Sequence, residues 1–353
     1  MPINDELRQL LDVVSPQNLA TAGSGRAAAS ALFRQQPADF CVTELSDREC
    51  SGSGEHAYLW VRKTGQNTAW VAKQLAAFAD VGSQAVSYAG LKDRHAVTEQ
   101  WFSVWLPGRG DPDWSAFASD MDVAGVEILE VHRHSSKLRR GDLTGNRFVI
   151  TLREAAGDHA ALDDRLAEVA ETGVPNYFGE QRFGMITEES GGNLELFGRL
   201  ADGARLSRNK KGFALSAARS ALFNWFLNQR VKEQSWNVCL DDDVPLSGRD
   251  GDAEVWLAGA EEVPAAIPTG ALWGEGGGRL VPGEEALIGR FPEVTAALEK
   301  LKVKQHRRSL WLPVNSLNYE WQGADLVLTF ELPPGAFATA VLAALLECHD
   351  TTA

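Results

Sequence analysis

Cysteine, long apolar runs and targeting signals are scarce in this chain of 353 residues. Its four cysteines are scattered and form no CxxC pair, which argues against a disulfide framework and against a zinc site. The N-terminal residues Met-Pro-Ile-Asn-Asp-Glu have neither the basic nor the apolar stretch of a signal peptide. The most apolar segment, residues 337–346, is too short to span a bilayer and is predicted to be a buried helix. We therefore expect a cytoplasmic protein without membrane association.

Motifs for common cofactors are also missing. The sequence has no GxxxxGK[ST] loop and no strand-linked GxGxxG, so no nucleotide cofactor is implied. His132 and His134 share one predicted strand but have no third ligand, which makes a metal site improbable. Residues 248–254 are rich in acids, but their spacing is not that of an EF-hand loop. We expect neither a metal nor an organic cofactor.

The net charge of −14 argues at first against a nucleic-acid partner, because a protein that binds RNA must neutralise phosphates. The distribution of charge matters more than the total. The charged residues in 132–147 are mostly basic, and residues 205–232 and 300–308 contain basic residues but no acid. The acids gather in residues 241–243, 250–262 and 284–285. This pattern predicts an acidic protein with a basic face, although a single charged run is more often plain solvated surface.

The length of the chain permits two domains, each with its own core. Strand patterns cover residues 40–45, 56–62, 86–89, 97–106, 123–134, 310–313 and 325–332. Helix patterns cover residues 68 to about 80, 160–171, 214–231 and 337–348, with Asn67 or Thr68 as the N-cap of the first. Gly145-Asn146 is predicted to be a turn that leads into a strand, and residues 270–289 are predicted to be a glycine-rich loop.

The most informative segment is the loop that carries Asp93. It reads Tyr88-Ala-Gly-Leu-Lys-Asp-Arg-His-Ala-Val and lies between two predicted strands. Three cationic neighbours surround the aspartate in sequence, namely Lys92, Arg94 and His95. A carboxylate near cations stays ionised and can serve as a nucleophile or a base. A lone aspartate between cations is nevertheless more often half of a structural ion pair with Arg94 or Lys92.

This loop closely resembles the catalytic loop of the TruD family of tRNA pseudouridine synthases, in which the aspartate of Ala-Gly-Leu-Lys-Asp-Arg is catalytic. Four further segments resemble the same family: Phe33-Arg-Gln-Gln-Pro-Ala-Asp-Phe-Cys-Val-Thr-Glu44, Gly145-Asn-Arg-Phe148, Pro175-Asn-Tyr-Phe-Gly-Glu-Gln-Arg-Phe-Gly184 and Leu332-Pro-Pro-Gly-Ala-Phe-Ala-Thr-Ala340. The resemblance therefore covers nearly all of the chain.

The resemblance implies a set of site residues. Asp93 is implied as the catalytic residue, and the implied substrate-binding residues are Phe40, Asn146, Phe148, Phe337, Arg34 and Lys92. An asparagine amide can both donate to and accept from the edge of a uracil, and a phenylalanine can stack on a flipped base. Arg34 stands where the family usually has lysine, and arginine keeps the charge but changes the geometry.

The predicted RNA contacts lie in two segments. Gln181 and Arg182 can contact the sugar, the base edge or the phosphate of an RNA, but they can equally well buttress a domain junction. Lys210 and Lys211 belong to the longest basic run, so we expect them on the RNA-binding face.

The fold that the resemblance implies is of the α+β class. It is a pseudouridine-synthase-type catalytic domain with a mixed, mostly antiparallel sheet, and a smaller α/β TRUD domain is inserted into it. The catalytic domain then comprises residues 1–173 and 311–353, and the inserted domain comprises residues 174–310.

The implied reaction is the isomerisation of uridine to pseudouridine at position 13 of tRNA, in the D arm, with tRNA as partner and no obligate protein partner. Asp93 either attacks C1′ of the ribose or removes a sugar proton to give a glycal. Two other hypotheses stay open. The chain could bind tRNA with weak or absent catalysis, or it could be a glycosidase that uses a second carboxylate from Glu44, Glu99 or Glu180.

Overall fold

The computed structural model describes residues 3–15, 18–187, 190–246 and 266–351. The strands in this part of the chain are β1 Ala29–Phe33, β2 Phe40–Leu45, β3 His56–Thr64, β4 Val86–Tyr88, β5 Val97–Trp105, β6 Val126–His134, β7 Gly145–Gly157, β8 Val174–Pro175, β9 Ile186–Thr187, β10 Ser190–Gly191, β11 Thr269–Leu272, β12 His306–Ser309, β13 Trp311–Leu312, β14 Asn315–Gln322, β15 Asp325–Leu332 and β16 Glu347–Asp350. The helices are α1 Ile3–Val14, α2 Thr68–Phe78, α3 Phe117–Asp120, α4 His159–Thr172, α5 Gly192–Ala201, α6 Arg208–Lys232, α7 Pro282–Arg290, α8 Pro292–Lys300 and α9 Ala338–Leu345. The predicted acidic run 250–262 and the acidic segment 248–254 lie outside the described residues.

The chain separates into two compact units, each built from three segments. The sheet unit comprises Ala29–Gly157, Asn315–Gly335 and Cys348–Ala353. The helical unit comprises Met1–Ala28, Asp158–Val314 and Ala336–Glu347. All of the predicted insertion, residues 174–310, falls within the helical unit, which also takes in α1, α4 and α9. The division into domains at residues 173 and 310 stays a prediction.

The sheet unit is organised around one sheet of ten strands. Its main path runs in the order β14-β15-β7-β2-β5-β3-β6, with β1 beside β7, β16 beside β1 and β4 beside β5. The neighbours β2 and β5 are parallel, whereas β15, β2 and β1 each run antiparallel to β7 and β3 runs antiparallel to both β5 and β6. The predicted α+β class with a mostly antiparallel sheet is confirmed.

Alternating side chains explain why these segments form half-buried strands. In β2 and in β15 every second residue is buried, which is the period expected for a strand with one face on a core. Helix α2 covers part of that face. Its Val71 and Leu75 pack in one cluster with Leu59, Phe102 and Val104 of the sheet. Burial of this apolar surface supplies most of the stabilisation of the unit.

The helical unit is built around α6, the long helix Arg208–Lys232. Its buried residues include Leu222, Phe223 and Phe226, which belong to a core cluster that also contains Leu10 of α1 and Phe197 of α5. The predicted helix 214–231 is confirmed and is longer at both ends. Ser207 caps its N-terminus by accepting a hydrogen bond from the Lys210 amide.

Several local predictions are wrong. Gly145 and Asn146 do not form a turn, because both lie in β7 and pair with Leu45 and Glu44 of β2. The predicted glycine-rich loop 270–289 contains part of β11 and most of α7. Pro282 at the first position and Glu284 in the first turn both favour the start of a helix there.

Other differences concern caps and missed strands. Asn67 occupies the N-cap of α2 without a side-chain hydrogen bond, and Thr68 uses its hydroxyl elsewhere. Strands β1 and β16 were not apparent from the sequence, because their neighbours in the sheet are far away along the chain. Strand β14 was also missed, although it forms a hairpin with β15. Among the described residues, no helix is both long enough and apolar enough to cross a membrane.

Candidate active site

The Asp93 loop joins β4 to β5 in the sheet unit. The antiparallel pairing of β4 with β5 brings Tyr88 opposite Phe102, so the loop closes a short hairpin. The parallel pairing of β2 with β5 aligns Cys41 with Val97. The end of the loop therefore lies beside the start of β2, where Phe40 stands. Two sheet partners determine where the loop leaves and re-enters the sheet.

A buried lysine holds the loop at its centre. Lys63 of β3 has no exposed surface, and its Nζ donates a hydrogen bond of 2.7 Å to the backbone carbonyl of Asp93. Burial lowers the pKa of Lys63 to about 8, and the charge of Asp93 partly opposes that effect. The lysine is thus mostly protonated at neutral pH, and its positive charge lies next to the aspartate.

Two further contacts fix the loop before Asp93. The backbone amide of Lys92 donates to the Thr68 hydroxyl at 3.0 Å, and the same hydroxyl donates to Gln100 at 2.9 Å. Gln100 in turn donates to the carbonyl of Gly90 at 3.0 Å. Thr68 and Gln100 are both buried. The backbone of the loop is therefore anchored by buried side chains of α2 and β5.

The Asp93 carboxylate itself stays exposed. The ion pairs among the described residues do not include it, and two of its three cationic neighbours have other partners. Lys92 pairs with Glu44, and the Arg94 Nε donates to the carbonyl of Gly65 at 3.3 Å. The structure thus gives no support to the interpretation of Asp93 as half of an ion pair with Lys92 or Arg94. It leaves the carboxylate available to a ligand.

The ion pair between Lys92 and Glu44 is buried. Nζ and Oε2 are 2.7 Å apart, and the side chains are 5% and 0% exposed. Burial raises the pKa of Glu44, an effect that Lys92 opposes, and the backbone amide of Trp101 donates to the other carboxylate oxygen at 3.3 Å. Lys92 precedes Asp93 in the sequence, but its charge is paired with Glu44 and not with Asp93.

Sheet register places the predicted pocket residues on one face. Lys63 pairs with Thr98, Thr98 with Val42, and Val42 with Phe148. Directly paired residues point to the same side of a sheet, so Lys63 and Phe148 share a face and lie three strand spacings apart, about 14 Å. Asn146 lies two residues before Phe148 and opposite Glu44, so both belong to this face as well.

Asn146 has a buried side-chain oxygen without a hydrogen-bond partner in the described structure. Buried polar atoms are nearly always satisfied, so an unsatisfied one calls for an explanation. Phe148 is buried, with its ring 6.0 Å from that of Phe40 and stacked 5.4 Å from that of Phe330. The predicted substrate residues Phe40, Asn146 and Phe148 therefore form one continuous patch.

Arg34 extends this aromatic patch. Its guanidinium lies 4.6 Å from the ring centre of Phe33 and 4.4 Å from that of Phe40, and it is 3.4 Å from Asp350. The residue has a φ of 61°, a conformation that is uncommon for arginine. Arg34 therefore stacks on the predicted substrate residue Phe40 and has Asp350, not Asp93, as its carboxylate partner.

The remaining predicted residues belong to the helical unit. Arg182 donates from Nη1 to Ser216 at 2.9 Å and lies 5.6 Å from the ring centre of Phe337. Gln181 is exposed, and so are Lys210 and Lys211 in the first turn of α6. The structure thus brings Arg182 and Phe337 together.

Sequence reasoning missed Lys63. The signal was present in the strand pattern, since continuing the alternation of Leu59 and Val61 by one step places Lys63 on the buried face. No cluster of potential metal ligands occurs within the described residues.

Comparisons with known proteins all point to one family. A model of tRNA pseudouridine synthase D (TruD) matches residues 22–192. The tRNA pseudouridine synthase D of Cellvibrio japonicus is 43% identical over 337 residues, 92% of each chain. That of Xanthomonas campestris pv. campestris strain 8004 is 44% identical over 350 residues, 92% of this chain and 94% of the relative. A solved TruD structure from Methanosarcina mazei is 19% identical with a TM-score of 0.65 and covers 98% of both chains, so the fold is shared.

Proposed function

The chain belongs to the TruD family of tRNA pseudouridine synthases, and we propose that it isomerises uridine to pseudouridine in tRNA with Asp93 as the catalytic residue. The observation that carries this proposal is the contrast between the backbone and the side chain of Asp93. The backbone around Asp93 is anchored by buried side chains, while its carboxylate is exposed and has no ion-pair partner among the described residues. A catalytic group needs both a fixed position and a free reacting atom.

The target uridine must leave its stack before the aspartate can reach the ribose, which costs a few kcal/mol. Asp93 then acts on the sugar in one of two ways. It attacks C1′ as the C1′–N1 bond breaks, or it removes a sugar proton to give a glycal. In both routes the uracil turns and C5 is joined to C1′. Both routes require the ionised carboxylate, and the positive charge of Lys63 lies beside the loop at this residue.

The patch beside the loop supplies the groups that a uracil needs. We assign the unsatisfied Oδ1 of Asn146 to a hydrogen bond from a uracil N–H, which would satisfy this buried acceptor. Phe40 and Phe148 provide apolar surface next to it, and Arg34, which stacks on Phe40, is proposed as a further substrate contact. Phe337, in the helical unit, is also proposed to contact the substrate. Gln181, Arg182, Lys210 and Lys211 are proposed to contact the RNA outside the uracil. No metal or organic cofactor has a role in this scheme.

A glycosidase is the weaker alternative. It needs a second carboxylate free to work with Asp93. Glu44 is buried in its pair with Lys92, and Glu99 lies 2.8 Å from Arg62. Two of the three candidate carboxylates are thus already paired with cations, which favours a reaction that uses one carboxylate.

Position 13 in the D arm is the proposed target, because the loop and pocket motifs resemble those of the family that acts there. The test is to incubate the protein with a tRNA transcript and to map pseudouridine along the strand by carbodiimide modification and primer extension. We expect one new stop, at position 13, and no stop in a transcript with cytidine at that position. A stop elsewhere would refute the position while supporting the activity.

A further inference from the structure

Two arginines of the helical unit share one aromatic ring. The guanidinium of Arg308, in β12, lies 4.1 Å from the ring centre of Phe178, and that of Arg182 lies 5.0 Å from it. Phe178 is buried, whereas both arginines are partly exposed. Arginines stack on aromatic faces because the guanidinium is planar and weakly hydrated. The ring therefore holds two like charges close together.

Neither arginine has a carboxylate partner among the described residues. Arg182 donates to Ser216 and Arg308 donates to Asn176, both of which are neutral. The Nε atoms of both arginines are buried and have no hydrogen-bond partner. Burial and the charge of Arg182 lower the pKa of Arg308 to about 9, which is far below that of an ordinary arginine. Two buried N–H donors and two positive charges are thus left unsatisfied in one place.

Comparison with Arg307 shows that the missing carboxylate partner is specific to Arg308 within its strand. Arg307 precedes Arg308 in the same strand, and its Nη2 lies 2.8 Å from Glu284. Arg307 also donates to the carbonyl of Thr269 at 2.9 Å. Of two consecutive arginines, one is fully neutralised by this chain and the other is not. Unpaired charge in a partly buried place is costly, so a ligand that neutralises it should bind well.

We propose that Arg182 and Arg308, seated on Phe178, form a binding site for one phosphodiester group of the RNA substrate. A phosphate oxygen can accept from guanidinium N–H groups of both arginines, and the planar guanidinium suits such an oxyanion. The predicted role of Arg182 as an RNA contact gains a specific partner, Arg308, which the sequence did not single out. This inference rests on the proposed function, since tRNA is the source of the phosphate.

The test compares variants in tRNA binding across a series of salt concentrations. Arg308→Gln removes one charge from the pair, and Arg290→Gln removes one exposed charge from α7 as a matched control. We expect Arg308→Gln to weaken binding about 10- to 100-fold, as loss of a charge-assisted hydrogen bond does. We also expect the slope of log Kd against log salt to decrease by about 1. Arg290→Gln should behave as the wild type.

Arg182→Gln provides an independent variant in case Arg308→Gln fails to fold, which circular dichroism would reveal. It should give the same loss and the same change of slope. Arg308→Lys should recover only part of the affinity, because lysine keeps the charge without the planar fork. Wild-type affinity and slope in folded Arg308→Gln or Arg182→Gln would overturn the proposal.

A second measurement separates the source of the anion. Millimolar inorganic phosphate is compared with chloride at equal ionic strength in thermal unfolding of the tRNA-free protein. We expect phosphate to raise the Tm of the wild type but not that of Arg308→Gln. If phosphate stabilises the wild type while tRNA binding is unchanged in Arg308→Gln, the site takes a free phosphate compound and the proposal is wrong. Altered tRNA binding in a protein without isomerase activity would support the phosphate site and refute the proposed function.

Discussion

The two units of this chain leave opposite charges unpaired. In the sheet unit Lys63, Lys92 and Arg94 each donate to an acceptor, whereas the Asp93 carboxylate has no ion-pair partner among the described residues. In the helical unit Glu284 is paired with Arg307 of β12, while Arg182 and Arg308 have no carboxylate partner in the part of the chain that the structure describes. A charge without an opposite partner, next to neighbours that are paired, is a better guide to function than the number of charges. Each prediction below changes residues of one unit only.

Lys63→Met should have the largest effect on catalysis among the residues that do not contact the substrate. It removes the donor that holds the carbonyl of Asp93, so the loop shifts and kcat falls about 100-fold, the cost of a displacement of about 1 Å. KM should change little, because phosphate contacts carry affinity. Steady-state kinetics with a tRNA transcript measures both.

Stability distinguishes this positioning role from a structural one. Methionine removes a buried charge, so the free energy of unfolding at pH 7 should stay equal or rise. Lys63 has a pKa of about 8 in the folded protein and 10.5 in a free side chain. The unfolded state therefore binds more protons between these values, and wild-type stability should gain from a rise in pH across this window. Lys63→Met should lack that gain. A large loss of stability in Lys63→Met would contradict the assignment.

Glu44→Gln should destabilise the sheet unit. It leaves the buried Lys92 ammonium without a counter-ion, and breaking one half of a buried pair costs about 3–5 kcal/mol. Glu127→Gln is the control, because Glu127 is exposed in its pair with Arg62 and should cost less than about 1 kcal/mol. Urea unfolding measures both. Equal effects would show that the buried pair does not hold the loop.

Asn146→Ala should reduce kcat/KM about 10-fold, the cost of one lost hydrogen bond to the uracil. Its stability should stay near that of the wild type, because the Oδ1 atom has no partner to lose within the described protein. Unchanged kinetics combined with lost stability would make Asn146 a structural residue.

Charge reversal at Lys210 and Lys211 should have the smallest effect. Both side chains are exposed at the start of α6, so we expect a several-fold rise in apparent KM and a flatter dependence of KM on salt. Charge reversal at Lys300 and Lys302, in another basic run, tests whether the effect is specific to α6. Unchanged KM at every salt concentration would remove Lys210 and Lys211 from the RNA-binding face.

Much of the sheet unit could be predicted from local sequence. The alternation in Phe40–Leu45 and Asp325–Leu332 identified β2 and β15 with their correct bounds. The strand at Asn315–Gln322 was missed because it has few buried residues and is specified by its partner β15. Gly145-Asn146 was assigned to a turn because the local sequence does not show its partner strand. The pairing with β2, which lies about a hundred residues away, overrides the local preference for a turn.

The site was predictable only in part. The motifs pointed to Asp93, Asn146 and the aromatic residues, but they could not show which cation pairs with which acid. Pairing depends on contacts between segments far apart in sequence, as for Lys92 with Glu44 and Lys63 with the Asp93 carbonyl. Arg308 was visible only as part of a basic run, and the structure shows that its neighbour Arg307 is neutralised while Arg308 is not.

The central claim is that Asp93 catalyses pseudouridine formation, and tritium release from tRNA labelled at uracil C5 tests it most directly. Wild type, Asp93→Asn and the exposed control Asp47→Asn are measured side by side, together with tRNA binding. We predict release by the wild type and by Asp47→Asn, and at least about a 1000-fold loss in Asp93→Asn with affinity within a few fold. Release by Asp93→Asn at the wild-type rate would contradict the claim. No release by any of the three, with binding intact, would identify a tRNA-binding protein instead.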